Sequence, residues 1–189
     1  MSAYKFRVFR VLLDTEKESE IFRDILINEN DNFESLYHAI IQSFNFTGQE
    51  MASFYMSNDN WDKGHEISLM DLNYGDESLE EKASVMSETN IKEFIETDDQ
   101  KIILVYDFMR MWIFLIELVE ILDDSIGAPE VALAIGMAPP EDSRATGIEE
   151  GEDELLFDDE EFGEDEDEFG LDDYEDGYSD EDYSNFDEY

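Results

Sequence analysis

The amino-acid sequence predicts an α+β fold: a single domain with a mostly antiparallel sheet packed by an amphipathic helix, followed by a disordered acidic tail. Three observations support this fold class. Strand-like segments outnumber helical ones in residues 1–148, and they do not alternate with helices as parallel βαβ units do. One segment carries a helical apolar stripe. Residues 149–189 contain 23 Asp or Glu and no Lys or Arg, a composition typical of disorder.

The first two strands are predicted to form a hairpin. Residues 4–13 (YKFRVFRVLL) alternate apolar side chains such as Phe6 with Lys5 and Arg7, which is the period of two expected of a half-buried strand. A polar turn follows, and residues 21–27 (IFRDILI) then predict a second strand that pairs with the first.

The clearest helix is predicted from about Phe33 to Phe44, where Asn32 offers a side-chain oxygen as N-cap. Its apolar residues fall on one stripe of 3.6-residue period and should pack on the sheet: Phe33, Leu36, Tyr37, Ile40, Ile41 and Phe44. The residues expected to be most buried come from this stripe and from two later segments: Phe33, Leu36, Ile40, Phe44, Val105 and Trp112.

The remaining segments predict shorter elements. Strands are expected over residues 51–57 and 101–108, extended pieces over 65–72 and 129–135, a short helix over 90–95 and a charged loop over 76–82. Residues 112–122 (WIFLIELVEIL) are ambiguous, because their aromatic and β-branched content favours a strand while Trp112, Leu115, Ile116 and Val119 also fit one helix face. Pro139 and Pro140 should end regular structure.

Charge and composition exclude several classes of function. The net charge is −42, from 11 basic and 53 acidic residues, and residues 1–148 hold 30 of the acids and all 11 bases, a net of −19. Direct nucleic-acid binding requires clustered Lys and Arg, and this sequence contains no such cluster. Direct nucleic-acid binding is therefore not expected, and a basic protein is the expected partner. The absence of cysteine excludes disulfides and thiol catalysis.

The apolar runs are short. The longest uninterrupted one, Met111 to Ile116, is far below the roughly 20 residues of a membrane span. The first residues, MSAYKFRVFRVLLD, contain no apolar stretch of the length that a secretory signal needs. A soluble protein with a cytoplasmic location and no membrane partner is therefore expected.

Several stretches resemble one known family. The run YDFMRMWIFLIELV, from Tyr106 to Val119, resembles the tyrosine-aspartate-phenylalanine-glycine-aspartate-x-tryptophan-x-histidine strand motif of the Ri-plasmid ORF-3-like family. The run GMAPPEDSRATGI, from Gly136 to Ile148, resembles its proline-proline-glutamate-aspartate stretch followed by glycines. The helix and the following NFTGQEMASF are similar to its early helix and third strand. The matching motif positions are Tyr106, Asp107, Phe108, Trp112, Pro139, Pro140, Glu141 and Asp142.

The resemblance covers roughly residues 4–148 and implies an α+β domain without a demonstrated activity. Some members are labelled as passengers of insertion elements, which are mobile elements, with a resolvase-like name. This chain departs from the pattern at several polar positions, so it resembles a degenerate member. Met109 and Arg110 replace the glycine-aspartate, Phe114 and Glu50 replace histidines, and Arg144 and Ala145 replace a glycine pair.

Candidate sites in the body are few. Asp107, Glu141 and Asp142 could form a carboxylate cluster for Mg²⁺ or Ca²⁺; the alternative is that Asp107 caps a turn and that residues 139–142 form a rigid surface loop. No catalytic or cofactor-binding residue is predicted. His38 and His65 are expected to have structural roles, Trp112 to lie in the core and Trp61 to make an exposed contact.

The acidic tail (residues 149–189) interleaves its carboxylates with aromatic side chains. Its Asp-Gly patterns do not fit the oxygen positions of an EF-hand loop. The tail either aids solubility alone, or docks on basic proteins or mimics a nucleic-acid backbone. The residues expected to bind a partner are Phe157, Phe162, Phe169, Tyr174, Tyr178 and Tyr183. The preferred function is a non-catalytic interaction module; the alternative is a divalent-metal-dependent enzyme that uses the carboxylate cluster.

Overall fold

The structure is a computed structural model that describes residues 5–16, 18–71, 84–97 and 100–146. The acidic tail with its six partner-binding aromatic residues lies outside these ranges, as does the charged loop expected over residues 76–82. The expected disorder of the tail and the domain boundary at residue 148 therefore stay predictions.

The described residues form eight strands, two helices and one 3₁₀ turn. In chain order these are β1 (Phe6–Leu13), β2 (Phe22–Asn28), α1 (Phe33–Ser43), β3 (Ala52–Ser57), β4 (Glu66–Ser68), β5 (Ser84–Val85), α2 (Ile91–Phe94), β6 (Lys101–Tyr106), β7 (Trp112–Leu122), β8 (Glu130–Ile135) and the 3₁₀ turn Glu141–Ser143.

One mixed sheet contains all eight strands in the order β5-β4-β3-β6-β7-β1-β2-β8. Every neighbouring pair is antiparallel except β4 with β5. The predicted hairpin is present, with Phe6 opposite Asn28 and Leu12 opposite Phe22. The prediction of an α+β fold with a mostly antiparallel sheet is confirmed.

Helix α1 covers one face of the sheet through the stripe read from the sequence. Asn32 caps it, because its Oδ1 accepts a hydrogen bond from the Ser35 backbone N–H at 2.9 Å. All six residues expected in the core are at most 2% exposed, so that prediction is confirmed. The core is rich in aromatic edges, including Phe33 against Phe54 at 5.3 Å between ring centroids.

Strand β1 (Phe6–Leu13) lies within the predicted residues 4–13, but Arg7 does not face outward as the alternation indicates. Phe9, Val11 and Leu13 lie in the core, and Arg7, on the same side of the strand, is 5% exposed. Its two terminal guanidinium nitrogens donate to the Ile95 carbonyl at 2.8 Å and to Glu29 Oε2 at 3.2 Å, while its buried Nε has no hydrogen-bond partner among the described residues. These partners are distant in sequence, which is why alternation alone misplaces this side chain.

The ambiguous segment 112–122 is strand β7. It is extended because β6 pairs with one of its edges and β1 with the other. Its buried residues recur with a period of two at Trp112, Phe114, Ile116 and Leu118. The two-residue β5 was not predicted. After Pro139 and Pro140 the chain makes the short 3₁₀ turn. Within the described residues, neither helix has the length and apolar content needed to cross a bilayer.

Candidate functional site

The turn between β6 and β7 (residues 107–111) is strained at both ends and capped by Asp107. Asp107 and Met111 have positive φ angles of 56° and 54°, a region that non-glycine residues rarely occupy. Asp107 Oδ1 accepts from the backbone N–H groups of Met109 at 3.0 Å and Arg110 at 3.1 Å. The Arg110 guanidinium lies 3.5 Å from Asp107 Oδ2. Asp107 therefore does cap a turn.

Glu141 is the hub of the neighbouring hydrogen-bond network. Its Oε1 accepts from the Tyr106 hydroxyl at 2.5 Å, and its Oε2 accepts from the Thr47 backbone N–H at 2.7 Å. The Tyr106 oxygen also accepts from the Gly48 N–H at 3.1 Å. Burial first, and then the hydrogen bond to Glu141, raise the pKa of Tyr106. The network joins β6, the loop after α1 and the 3₁₀ turn.

Trp112 and Arg144 fasten the same segment from its other side. The Trp112 indole N–H donates to the Glu141 carbonyl at 3.0 Å, and the Arg144 guanidinium lies 4.5 Å from the Trp112 ring centroid. Arg144 also donates to the carbonyls of Met111 and Asp14. Arg110 Nε donates to the Arg144 carbonyl at 3.0 Å. Arg110 and Arg144, two positions where the chain departs from the family pattern, thus contact each other.

Two cavities flank this segment. The larger, about 610 Å³, is lined by Thr15, Glu16, Trp112, Pro139, Pro140, Ser143 and Arg144. The smaller, about 360 Å³, is lined by Thr47, Glu50, Asp107, Arg110, Glu141 and Asp142. Asp107, Glu141 and Asp142, the three carboxylates expected to hold a metal, thus line one cavity together with Glu50.

The carboxylates that line the smaller cavity are poorly arranged to bind a metal ion. Within residues 5–16, 18–71, 84–97 and 100–146, no group of three or more His, Asp or Glu side chains is close enough to hold one. Asp107 and Glu141 already accept hydrogen bonds from protein donors. A hard cation would have to displace these donors to gain the six or more oxygen ligands it prefers.

Tyr37 carries a polar atom that the sequence pattern conceals. The residue belongs to the apolar stripe of α1, is fully buried and leaves its hydroxyl without a hydrogen-bond partner. Burial, followed by the nearby Tyr106 and Glu141, raises the pKa of Tyr37. Its ring lies 6.3 Å from the Tyr106 ring, so a buried hydroxyl borders the Glu141 network without joining it.

The two histidines lie apart and have structural contacts. His38 is exposed on α1, 3.8 Å from Glu34. His65 stacks on Phe94 with ring centroids 5.0 Å apart, and its Nε2 is 2.8 Å from Ser84 Oγ. Among the residues that the structure describes, neither histidine belongs to a group of three or more His, Asp or Glu side chains that could hold a metal ion such as zinc.

Trp61 lies at a third cavity, on the sheet face opposite α1. This cavity, about 200 Å³, is lined by Arg10, Leu12, Glu20, Phe22, Trp61, Leu115 and Glu117. Among these lining residues, only Trp61 is predicted from the sequence to make an exposed contact. The other lining residues come from β1, β2, β7 and the turn before β2, and only the pairing of these strands brings them together.

Comparison with known proteins gives a family and a fold. The family model described as plasmid pRiA4b ORF-3-like protein matches residues 5–183, which extends beyond residue 148 into the acidic tail. Among solved structures, a protein of unknown function from Methanosarcina mazei Go1 is similar with a TM-score of 0.61 and 21% identity, over 85% of this chain and 86% of that chain. No curated protein matches. At this identity the structural likeness is one of fold alone.

Proposed function

Because the chain belongs to the plasmid pRiA4b ORF-3-like family, whose description specifies no reaction, we propose a function from its charges and contacts. The chain is a non-catalytic interaction module, and its acidic tail (residues 149–189) engages a basic protein partner.

The observation that carries this proposal is that the domain uses its cations internally. Each of the nine Lys and Arg side chains in the described part of the chain lies against the chain's own carboxylates, carbonyls, amides or aromatic rings: Lys5, Arg7, Arg10, Arg23, Lys63, Lys92, Lys101, Arg110 and Arg144. A phosphate or other anion would therefore have to break an existing contact to bind.

Carboxylates, in contrast, are available at the surface. The side chains of Asp59 and Asp123 are 92% and 77% exposed although each is paired with a lysine, and the 23 acids of the tail have no basic residue among them. Such a surface attracts cationic partners and repels nucleic acid. A basic protein is the class of partner that this charge distribution fits.

Tail dependence is the test of this proposal. Three proteins are compared for binding to protamine, an arginine-rich polycation. They are the full chain, a chain lacking residues 149–189, and a full chain in which Ser replaces six of the eight tail aromatics, namely those expected to bind a partner. We expect the full chain to bind strongly at low salt and to lose affinity steeply as the salt concentration rises. Deletion of the tail should weaken binding markedly. Equal binding by the deleted chain, with an unchanged melting temperature, would overturn the role of the tail.

The serine variant distinguishes binding that needs the aromatic residues from binding by negative charge alone, because its net charge equals that of the full chain. Weaker protamine binding by this variant would support aromatic anchoring by the six residues. Unchanged binding would remove the specific-partner part of the proposal. A pull-down with and without residues 149–189 then identifies the natural partner.

The alternative, a divalent-metal-dependent enzyme, has one observation in its favour: Asp107, Glu141 and Asp142 line the same cavity. It is the weaker candidate because Asp107 and Glu141 are engaged by protein donors. A titration with Mg²⁺ or Ca²⁺ that follows the melting temperature decides between the two.

A further inference from the structure

The cavity beside Trp61 has two aromatic walls over an apolar floor. Trp61 comes from the loop between β3 and β4, Phe22 from the start of β2, and Leu12 and Leu115 face each other across β1 and β7. These four residues are partly exposed. The cavity is therefore an accessible recess on the sheet face opposite α1.

Trp61 is held over this recess in an unfavourable backbone conformation. Its φ angle is 59°, a genuine outlier for a bulky residue. Asn58 organises the loop: its Oδ1 accepts from the N–H groups of Asn60 at 3.0 Å and Asp62 at 3.2 Å, and its carbonyl accepts from the Trp61 N–H at 3.0 Å. These hydrogen bonds hold the loop backbone from which the Trp61 side chain reaches the cavity.

Both aromatic walls already face cations. The Arg10 guanidinium lies 4.6 Å from the Phe22 ring centroid, and the Lys101 ammonium lies 5.7 Å from the Trp61 ring centroid. Distances of this order allow cation–π attraction. The chain's own contacts therefore show that these rings can accept positive charge.

The charges around the cavity leave an excess of carboxylates. Arg10 is held by Asp24 through two hydrogen bonds of 2.8 Å, and Lys101 lies 2.9 Å from Asp59 and 3.6 Å from Glu117. Glu20 also lines the cavity. Four carboxylates thus surround two cations, a local net charge of −2 that favours a further cation.

We propose that this cavity receives an arginine side chain of the basic protein partner. The inference rests on the proposed function for the existence of that partner and names its contact on the body. A guanidinium is planar and stacks on aromatic rings while donating to carboxylates. It can stack on Trp61 and donate to Glu20 and Glu117. The volume of about 200 Å³ accommodates one such side chain.

The test uses the full chain and the two indole N–H signals in an NMR spectrum, assigned with Trp61→Phe. The probe is N-acetyl-arginine amide, and N-acetyl-citrulline amide is its uncharged control of the same shape. We expect the arginine compound to shift the Trp61 signal saturably and to leave the signal of the buried Trp112 unchanged. No movement, or equal movement by the citrulline compound, would overturn the proposal.

Variants then test the carboxylates. Glu20→Gln and Glu117→Gln should each weaken arginine binding about two- to fivefold, the range of an exposed ion pair. Glu16→Gln, which changes a residue of a different cavity, should leave it unchanged. Equal affinity in all three variants would sink the assigned contact.

Failure of this inference can be told from failure of the proposed function. If protamine binds through the tail while Trp61 does not respond to arginine, only the cavity assignment falls. If Trp61 responds but protamine binding is unaffected by loss of the tail, the role of the tail falls and the cavity stands.

Discussion

At the scale of single residues, two tyrosines with nearly the same environment differ in how their hydroxyls are satisfied. Tyr37 and Tyr106 are both fully buried, yet the Tyr106 oxygen is bonded to Glu141 and Gly48 while the Tyr37 oxygen has no partner. A buried hydroxyl without a hydrogen-bond partner destabilises the folded state, whereas a hydrogen bond to a carboxylate stabilises it. Removing each oxygen should therefore have opposite effects.

Tyr37→Phe should leave the free energy of unfolding unchanged or raise it by up to about 1 kcal/mol, while Tyr106→Phe should lower it by about 1–3 kcal/mol. Urea denaturation of both variants measures the difference. A loss of more than about 1 kcal/mol in Tyr37→Phe would mean that its hydroxyl has a partner, such as a buried water.

The same two groups should control stability in alkali. Both pKa values are raised above the ordinary 10.0, so the folded state keeps protons that the unfolded state releases. Their contribution is fully present below pH 10 and is lost as the pH rises through the raised values. Urea midpoints between pH 8 and pH 11 should fall less steeply with pH in the double Phe variant than in the wild type.

The carboxylates of Asp107, Glu141 and Asp142, which line one cavity, allow a test of the metal hypothesis. A specific site would give a saturable rise in melting temperature with one equivalent of Mg²⁺ or Ca²⁺, and the combined change of Asp107→Asn and Asp142→Asn would abolish it. We expect instead a non-saturating rise that survives both substitutions, since diffuse screening acts on all carboxylates. Saturation at one equivalent that is lost in the double variant would establish the enzyme alternative's metal site.

At the scale of elements, helix α1 and strands β6 and β7 supply much of the buried surface. Leu36 of α1 is 0% exposed and belongs to the apolar stripe, whereas His38 of the same helix is exposed. These positions provide a matched pair in one element, because both substitutions to Ala favour the helix slightly.

Leu36→Ala should lower the free energy of unfolding by about 2–5 kcal/mol through lost burial and the cavity it leaves. His38→Ala should change it by less than about 0.5 kcal/mol. Chemical denaturation of the two variants is the measurement. A loss below about half a kcal/mol for Leu36→Ala would mean that the helix does not pack through this face.

Local patterns predicted most of these elements, and their failures have physical reasons. The apolar stripe specifies α1, because six buried residues share one period. The segment from Trp112 could not be assigned, since Trp112 and Ile116 fit both the helical and the strand period until pairing with β1 and β6 is known. Arg7 was misplaced because its partner, the Ile95 carbonyl, is 88 residues away.

The candidate site was predicted only in part for the same reason. The family motif located Tyr106, Trp112 and Glu141, which do meet. The contacts of Arg144 with Trp112, Met111 and Asp14 and the lining of the Trp61 cavity join segments that are distant in sequence. A sequence pattern does not show such contacts until the strand order is known.

At the scale of the whole molecule, 53 acidic residues stand against 11 basic ones. Like charges at this density repel one another and weaken the compact state. The described ion pairs act in the opposite direction, but most of them are partly exposed and contribute little each. Net repulsion should therefore dominate the response of this protein to salt.

Raising NaCl from about 10 mM to about 500 mM should increase the melting temperature continuously, because the screening length shortens from about 30 Å toward a few ångströms. Calorimetry at a series of salt concentrations checks this. A melting temperature that falls with salt would show that specific ion pairs such as Arg10–Asp24 outweigh the general repulsion.

The position of β1 between β2 and β7 has a consequence for how the chain folds during synthesis. Phe6 pairs with Leu122, so the first strand waits for a partner that is made about 100 residues later. At 5–20 residues per second, the delay is roughly 5–20 s. For that time the β1–β2 hairpin exists with an open edge on each side, since β8 follows β7. Pairing over such a distance also makes folding slow. The nascent chain is therefore most exposed to aggregation, and most in need of a chaperone, before β7 leaves the ribosome.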